Sequence, residues 1–363
     1  MNLKEQNILF FTRTMKLGGT ENVILQLCEI FKPNVHNIVV CSCGGVNVEK
    51  LRKMGIRHYE IPDIEERSPS TIIKTIKTLN EIVKKEKISV IHTHHRMAAF
   101  YVYITRLYKW CVFINTSHNT FENKKIFTRL AYCKANLITC GEMVKRNLTD
   151  YYGVSKDKVT VIHNAVKPFE EQIIVDSKIQ KLHNEGKFIV CNIGRLSEQK
   201  GMEYYLKAIP LVIKKHPDIF FLVVGTGEDE AELKDMVREL GIEKFVYFTG
   251  YRSDIQNLMS QVDLIVLSSL WEGLPLTPIE AFSVGKTIVA TAVDGTVEII
   301  KDGVNGFLVE PRNYKQIAQK IEYIFENISS REKMEDNSLQ TYKEKFSYEI
   351  FAQKYKDYYE KCK

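Results

Sequence analysis

Residues 188–201 read FIVCNIGRLSEQKG. Phe188–Asn192 is short and almost wholly apolar, the pattern of a strand buried on both faces. Gly194 breaks that run, and helical spacing begins near Gly201. The stretch is therefore one strand–turn–helix unit with two cations, Arg195 and Lys200, on its turn. The same alternation extends in both directions. Toward the N-terminus the strand candidates are Ile8–Phe11, Ile38–Cys41, Val90–His92, Val112–Asn115, Leu137–Thr139 and Val159–Ile162. Toward the C-terminus they are Phe220–Val224, Val246–Phe248, Leu264–Leu267, Thr287–Thr291 and Gly306–Val309. Amphipathic stretches of helix length lie between them; Ile24, Leu27, Cys28 and Phe31, for example, fall on one helical face. Repeated β-α alternation predicts parallel sheets with right-handed crossovers. Twelve strands are too many for one small sheet, and 363 residues suit two domains at roughly 150 residues each. The polar stretch 167–186 reads as a linker. The expected fold is α/β, with two doubly wound, Rossmann-like parallel-sheet domains facing across a cleft, one over 1–168 and one over 169–345. Ligands of such sheets bind outside the carboxyl ends of the strands, so the loops after the strands decide the function.

Composition narrows the class. Hydrophobic residues make up 44% of the chain, enough for two cores, so extensive disorder is excluded. The net charge of +6 is unevenly spread. Residues 1–169 hold 26 Lys+Arg against 14 Asp+Glu, a balance of +12, which leaves −6 for the rest. A basic half suits an anionic surface or acceptor, and equally a solvated lysine-rich face. No recognisable nucleic-acid motif accompanies the charge, so nucleic acid is not an expected partner. The start of the chain is polar, with no secretory signal. No uncharged run of about 18 residues reads as a membrane span. The eight cysteines include no C-x-x-C and mostly sit in apolar runs, as reduced thiols do. A cytoplasmic location is expected.

Four loops in the second half carry polar chemistry. On the first, Gly194 lets backbone approach a ligand closely, and Arg195 and Lys200 can clamp an anion, Arg as a fork and Lys as a point charge. On the second, residues 269–280 read SLWEGLPLTPIE. There Thr277 reads as a helix N-cap with Pro278 at the first helical position, so that Glu280 either completes a capping box or faces a ligand. A helix start here also offers free amides to a phosphate. Gly225-Thr226-Gly227 and Val293-Asp294-Gly295-Thr296 each follow a strand as well. The full dinucleotide fingerprint is absent, which disfavours a dehydrogenase.

Taken with Gly18-Gly19-Thr20-Glu21, His92-Thr93-His94, Ser117-His118 and His163-Asn164-Ala165-Val166, the order Gly194-Arg195-Leu196, Lys200-Gly201 and Glu272 with Glu280 resembles the large retaining glycosyltransferase family 4 and its GT-B fold. The resemblance covers nearly the whole chain and is most specific in the C-terminal half. It implies that Arg195 and Lys200 hold a donor diphosphate, that Glu280 meets the ribose hydroxyls, and that Glu272 lies near the donor sugar with the amides of Gly273 and Leu274. It further implies that Gly18 and Gly19 form a phosphate- and acceptor-facing loop and that His118 contacts the transferred sugar. With Gly194 and Gly225 in the donor loops, Arg195, Lys200, Glu272 and His118 are the expected catalytic residues. The resemblance also implies that a terminal helix within 346–363 packs back on the N-terminal domain.

The implied activity is retaining transfer of a hexose or N-acetylhexosamine from a nucleotide sugar, a UDP-sugar by resemblance, to a sugar or lipid-linked acceptor in surface polysaccharide or glycolipid synthesis. The alternatives are a non-catalytic nucleotide-sugar-binding module and another GT-B enzyme such as a nucleotide-sugar epimerase. No D-x-D occurs, so cations would replace a diphosphate-bound metal, and neither metal nor other cofactor is expected. His92 and His94 share a strand face, but no carboxylate or cysteine lies beside them to complete a metal shell. Residues 96–113, RMAAFYVYITRLYKWCVF, mix aromatics with Arg106 and Lys109, and the basic character continues through Lys124, Lys125 and Arg129. Interfacial membrane segments have this composition, and so do aromatics packed against a sheet. Peripheral docking on anionic membrane is the expected consequence of the first reading.

Overall fold

The computed structural model of the chain describes residues 1–66, 68–170, 172–293 and 295–362. The chain divides into two compact units, Met1–Asn164 with Phe351–Lys363, and Ala165–Ile350. The polypeptide therefore passes from one to the other twice.

In the first unit the strands are β1 (Asn7–Phe11), β2 (Asn37–Ser42), β3 (Arg57–Glu60), β4 (Val90–Thr93), β5 (Val112–Ser117), β6 (Asn136–Thr139) and β7 (Val159–Val161). They form one parallel sheet in the order β3-β2-β1-β4-β5-β6-β7. In the second unit β8 (Phe188–Ile193), β9 (Ile219–Val224), β10 (Val246–Gly250), β11 (Leu264–Leu267), β12 (Ile288–Thr291) and β13 (Phe307–Val309) run in the order β10-β9-β8-β11-β12-β13. These pairs too are all parallel. Both sheets thus reverse direction beside their first strand, at β1/β4 and at β8/β11, which is where doubly wound sheets bind ligands. β8 and β9 are buried throughout, and β1 from Ile8 onward, because helices cover both faces.

The twelve expected strands are present, together with β3. Its sequence, Arg-His-Tyr-Glu, is polar, and it lies at an edge with its ends exposed. An edge strand needs no apolar run, and charge there blunts edge-to-edge pairing. Two local expectations are corrected. Within the stretch read as a linker, Ser177–Asn184 is a helix, because Asp176 accepts from the amides of Lys178 and Ile179 and caps it. In the Glu272–Glu280 stretch the helix is Leu276–Ser283, and it starts after Pro275 rather than at Thr277. Thr277 is buried inside its first turn and caps nothing. The proposed capping box therefore does not form, and Glu280 has no local capping role. Asp294, quoted above in the loop after β12, lies outside the described residues.

The final helix, Tyr348–Lys361, contributes to the first unit from Phe351 onward. Phe351, Tyr355 and Tyr359 are fully buried, and the Tyr359 ring lies 4.3 Å from that of Phe31. Three aromatic side chains buried at roughly 1.5–3 kcal/mol each make this helix a core element.

Candidate active site

The donor loops of the second unit are stitched together by backbone. The loop after β8 lies on the loop after β9, with the Leu196 amide donating to Thr226 O and the Asp229 amide to Leu196 O. That approach requires glycine. A Cβ on Gly225, whose φ is +134°, would collide with Gly194 O, and one on Gly227 would collide with Leu196 O. The loop after β8 also lies against the loop after β11. The Leu270 amide donates to Gln199 O, Ser268 Oγ donates to Lys200 O, and Asn192 Nδ2 donates to Ser268 Oγ. At β12, Thr291 Oγ1 donates to Ser269 O, and a Cβ on Gly295 would collide with Gly273 O. Gly194, Arg195, Lys200, Gly225, Glu272, Gly273, Leu274 and Glu280 thus belong to one loop cluster at the carboxyl edge, around the β8/β11 reversal.

Within it, Lys200 and Glu272 form an ion pair, with Lys200 Nζ donating to Glu272 Oε1 at 2.5 Å. Ser269 Oγ donates to the same oxygen at 2.7 Å. Only 8% of the Glu272 side chain and 19% of that of Lys200 is exposed, so the pair is held rather than waving in solvent. Gly194 makes room for it, since a Cβ there would press on the Lys200 methylenes at 3.2 Å. Arg195 is exposed and, among the described residues, pairs with no carboxylate. Burial pushes the Glu280 carboxyl up to about 7, while the positive charge of Lys200 pulls it down. Lys200 thus faces two carboxylates, one in contact and one through space. Sequence reading missed Ser269, although its place three residues before Glu272 is the available signal.

Gly18, Gly19 and His118 belong to the first unit. Gly18 precedes the helix Gly19–Phe31, and a Cβ on it would collide with Glu21 Oε2. Glu21 Oε1 accepts from Thr14 Oγ1 at 2.6 Å, which ties the loop after β1 to the helix start. His118 follows β5 and shares a 3.0 Å hydrogen bond between its Nε2 and His94 Nδ1. The two rings stack at 5.3 Å, and His92 lies 4.2 Å beyond His94. The Nδ1 of His92 meets Tyr359 Oη at 2.7 Å and its Nε2 meets Thr116 Oγ1 at 2.8 Å. With both nitrogens of His92 taken, this row is not arranged for metal ligation; among the described residues no group of three or more His, Cys, Asp and Glu is placed to hold a metal. Burial lowers all three histidines, His118 to about 4 and His92 and His94 well below the usual value, so the row is neutral at pH 7. His94 is the residue that sequence reading undervalued. Its alternation with His92 was visible, but its contact across to the β5 loop required the strand order.

Comparison with known proteins agrees with this architecture. Residues 17–168 match the family described as Glycosyltransferase Family 4, and residues 175–341 match Glycosyl transferases group 1. The chain is 29% identical to the UDP-Gal:alpha-D-GlcNAc-diphosphoundecaprenol alpha-1,3-galactosyltransferase of Escherichia coli, over 81% of each sequence. Among solved structures, a glycosyltransferase from Rickettsia africae matches at 25% identity and a TM-score of 0.86, covering 98% of both chains. Anabaena HepE in complex with UDP-glucose matches in fold at 22% identity and a TM-score of 0.79, over 97% of this chain and 99% of that one. Among the described residues no helix is long and apolar enough to cross a membrane. The chain belongs to the GT-B glycosyltransferases that join a family 4 N-terminal domain to a group 1 C-terminal domain.

Proposed function

We propose that this glycosyltransferase moves a hexose or N-acetylhexosamine from a UDP-sugar to a sugar or lipid-linked acceptor, with retention of anomeric configuration and without a metal. The observation that carries the donor reading is the Lys200–Glu272 pair beside Glu280 at the β8/β11 reversal. Breaking the anomeric C–O bond builds negative charge on a departing diphosphate. Arg195, exposed and without a carboxylate partner among the described residues, Lys200, and the amides at the start of Leu276–Ser283 supply positive charge and hydrogen bonds for it. Glu280 accepts from the ribose hydroxyls. Glu272 and Ser269 hold the Lys200 ammonium in one place, so that its charge costs little reorganisation when the bond breaks. Neutral His118, oriented by His94, contacts the transferred sugar. The residue His118 is bonded to is a histidine, not a carboxylate nucleophile. Departure and attack on the same sugar face, in one ion-pair-like step, fit that surrounding.

The UDP complexes of HepE and the diphosphoundecaprenol acceptor of the E. coli relative support the donor and acceptor classes. The proposed setting is surface polysaccharide or glycolipid synthesis at the cytoplasmic face of an anionic membrane. A thermal-shift screen against a nucleotide-sugar panel tests the donor site. A UDP-sugar should stabilise the protein, and Arg195→Ala should abolish the response. A full response from that variant would show the diphosphate to lie elsewhere.

A further inference from the structure

The first unit contains a cavity of about 340 Å³ lined by Ile72, Met97, Phe100, Tyr101, Ile104 and Phe127, with Lys124 as its charged wall. Its size is within the range of small-molecule sites, roughly 300–1,000 Å³. Three helices build it: Pro69–Lys85, Arg96–Ile104 and Lys125–Tyr132. Tyr101 belongs to the core of this unit, and Ile72, Met97 and Phe100 pack against that core, so the cavity adjoins it on the helix side. Large apolar side chains continue outward from it. Ile73, Ile104, Ile126 and Leu130 are exposed, Ile126 by 78%. Ile126 and Leu130 are four apart on one helix and share its outer face. Apolar side chains exposed on the helices that build the cavity suit an apolar ligand there.

Its charge states what binds. Residues 96–134, which supply six of the seven lining side chains, hold seven Lys and Arg against Glu122 alone. Lys124 sits in the left-handed region at φ +50°, a conformation disfavoured for a lysine. It immediately precedes its helix, and Met97 and Ile72 lie in the first turns of theirs. Helices that follow parallel strands begin at the carboxyl edge, so the charged wall stands at the edge that also carries His118. Ile104, in the last turn of its helix, is ~10 Å further along from Met97 at 1.5 Å per residue. The space is therefore cationic at the edge where sugars are handled and apolar away from it.

We infer that this cavity seats the proximal hydrocarbon of a phosphorylated lipid, with the phosphate at Lys124 and the chain running toward Ile104. The inference rests on the lipid-linked acceptor reading and places that acceptor's apolar part. Occupancy is read by calorimetry with farnesyl phosphate, below its micelle concentration and with no donor present. Farnesyl phosphate should bind, farnesol at least tenfold more weakly, and inorganic phosphate without detectable heat. Ile104→Glu and Lys124→Glu, both at exposed positions, should each weaken binding about tenfold, with thermal unfolding unchanged. Ile328→Glu, an exposed apolar position of the second unit, should leave it intact. Absence of farnesyl phosphate binding, or equal binding by all three variants, overturns the inference. So does a concentration-dependent dimer that Ile104→Glu dissolves, which would give the cavity to a second copy. UDP binding measured on the same samples separates this failure from failure of the donor site.

Discussion

Glu280 lies in the second turn of the helix Leu276–Ser283, where burial raises its carboxyl to about 7. Below that pH it is protonated, and above it the carboxylate accepts from ribose. Uridine, which has no titrating phosphate, should therefore bind about tenfold more tightly at pH 8 than at pH 6, and Glu280→Gln should flatten the profile. Titration calorimetry at the two pH values checks this, and a flat wild-type profile would remove Glu280 from the ribose site. The histidine row titrates in the opposite sense. His118 is lowered to about 4, and His92 and His94 fall well below the usual 6.5. In the unfolded chain these groups take up protons as pH falls below 6.5, while the folded ones stay neutral. Their contribution to stability is thus present above pH 6.5 and is lost as pH drops toward 4. Melting of the first unit should fall across that window, and His94→Gln should reduce the slope. An unchanged slope in that variant would mean that the row is not what acid disrupts.

At the scale of elements, the donor site depends on loops that touch through glycine. Gly225→Ala adds a Cβ where Gly194 O already stands and strains a positive φ. It should cost roughly 2 kcal/mol or more, and weaken UDP binding by displacing the Arg195 loop. Denaturant melts and UDP titration of the variant measure both, and wild-type affinity would show that the two loops move independently. The glycines were legible in the sequence as loop signals, but the partner each one meets was not. Gly225 and Gly194 are 31 positions apart and meet only because β8 and β9 pair. The same limit applied to His94 and His118, which the β4–β5 pairing brings together. Buried strands such as β9, read as Phe220–Val224, announced themselves by apolar runs, whereas β3, exposed at its edge, had no such run to show. The helix Leu276–Ser283 was misplaced by two residues because Thr-Pro imitates a cap and first turn, and packing decided otherwise.

For the whole molecule, the expected division into doubly wound domains came from the β-α alternation. The return of the chain at residue 351 came only from resemblance, since nothing in the local pattern of the last helix says which sheet it covers. Its anchoring is specific. Tyr359→Phe removes the partner of His92 Nδ1 and should cost about 1–3 kcal/mol in the first unit. Calorimetry that resolves the unfolding of the two units checks this, and a loss confined to the second would contradict the assignment. The charge asymmetry belongs to this scale too. With +12 on residues 1–169, binding to anionic vesicles should weaken steeply between low and high salt. Flotation assays measure it, and salt-independent binding would point to apolar contact instead.

The hydrogen bond between His92 and Tyr359 spans 267 positions of sequence. During translation the first unit leaves the ribosome early, yet its aromatic filling, Phe351, Tyr355 and Tyr359, is made last. The second unit lies wholly between these parts and can close while the first still waits, the reverse of the usual order of domain folding. A chain ending near residue 351 would hold a whole donor domain attached to an acceptor domain whose core lacks Phe351, Tyr355 and Tyr359.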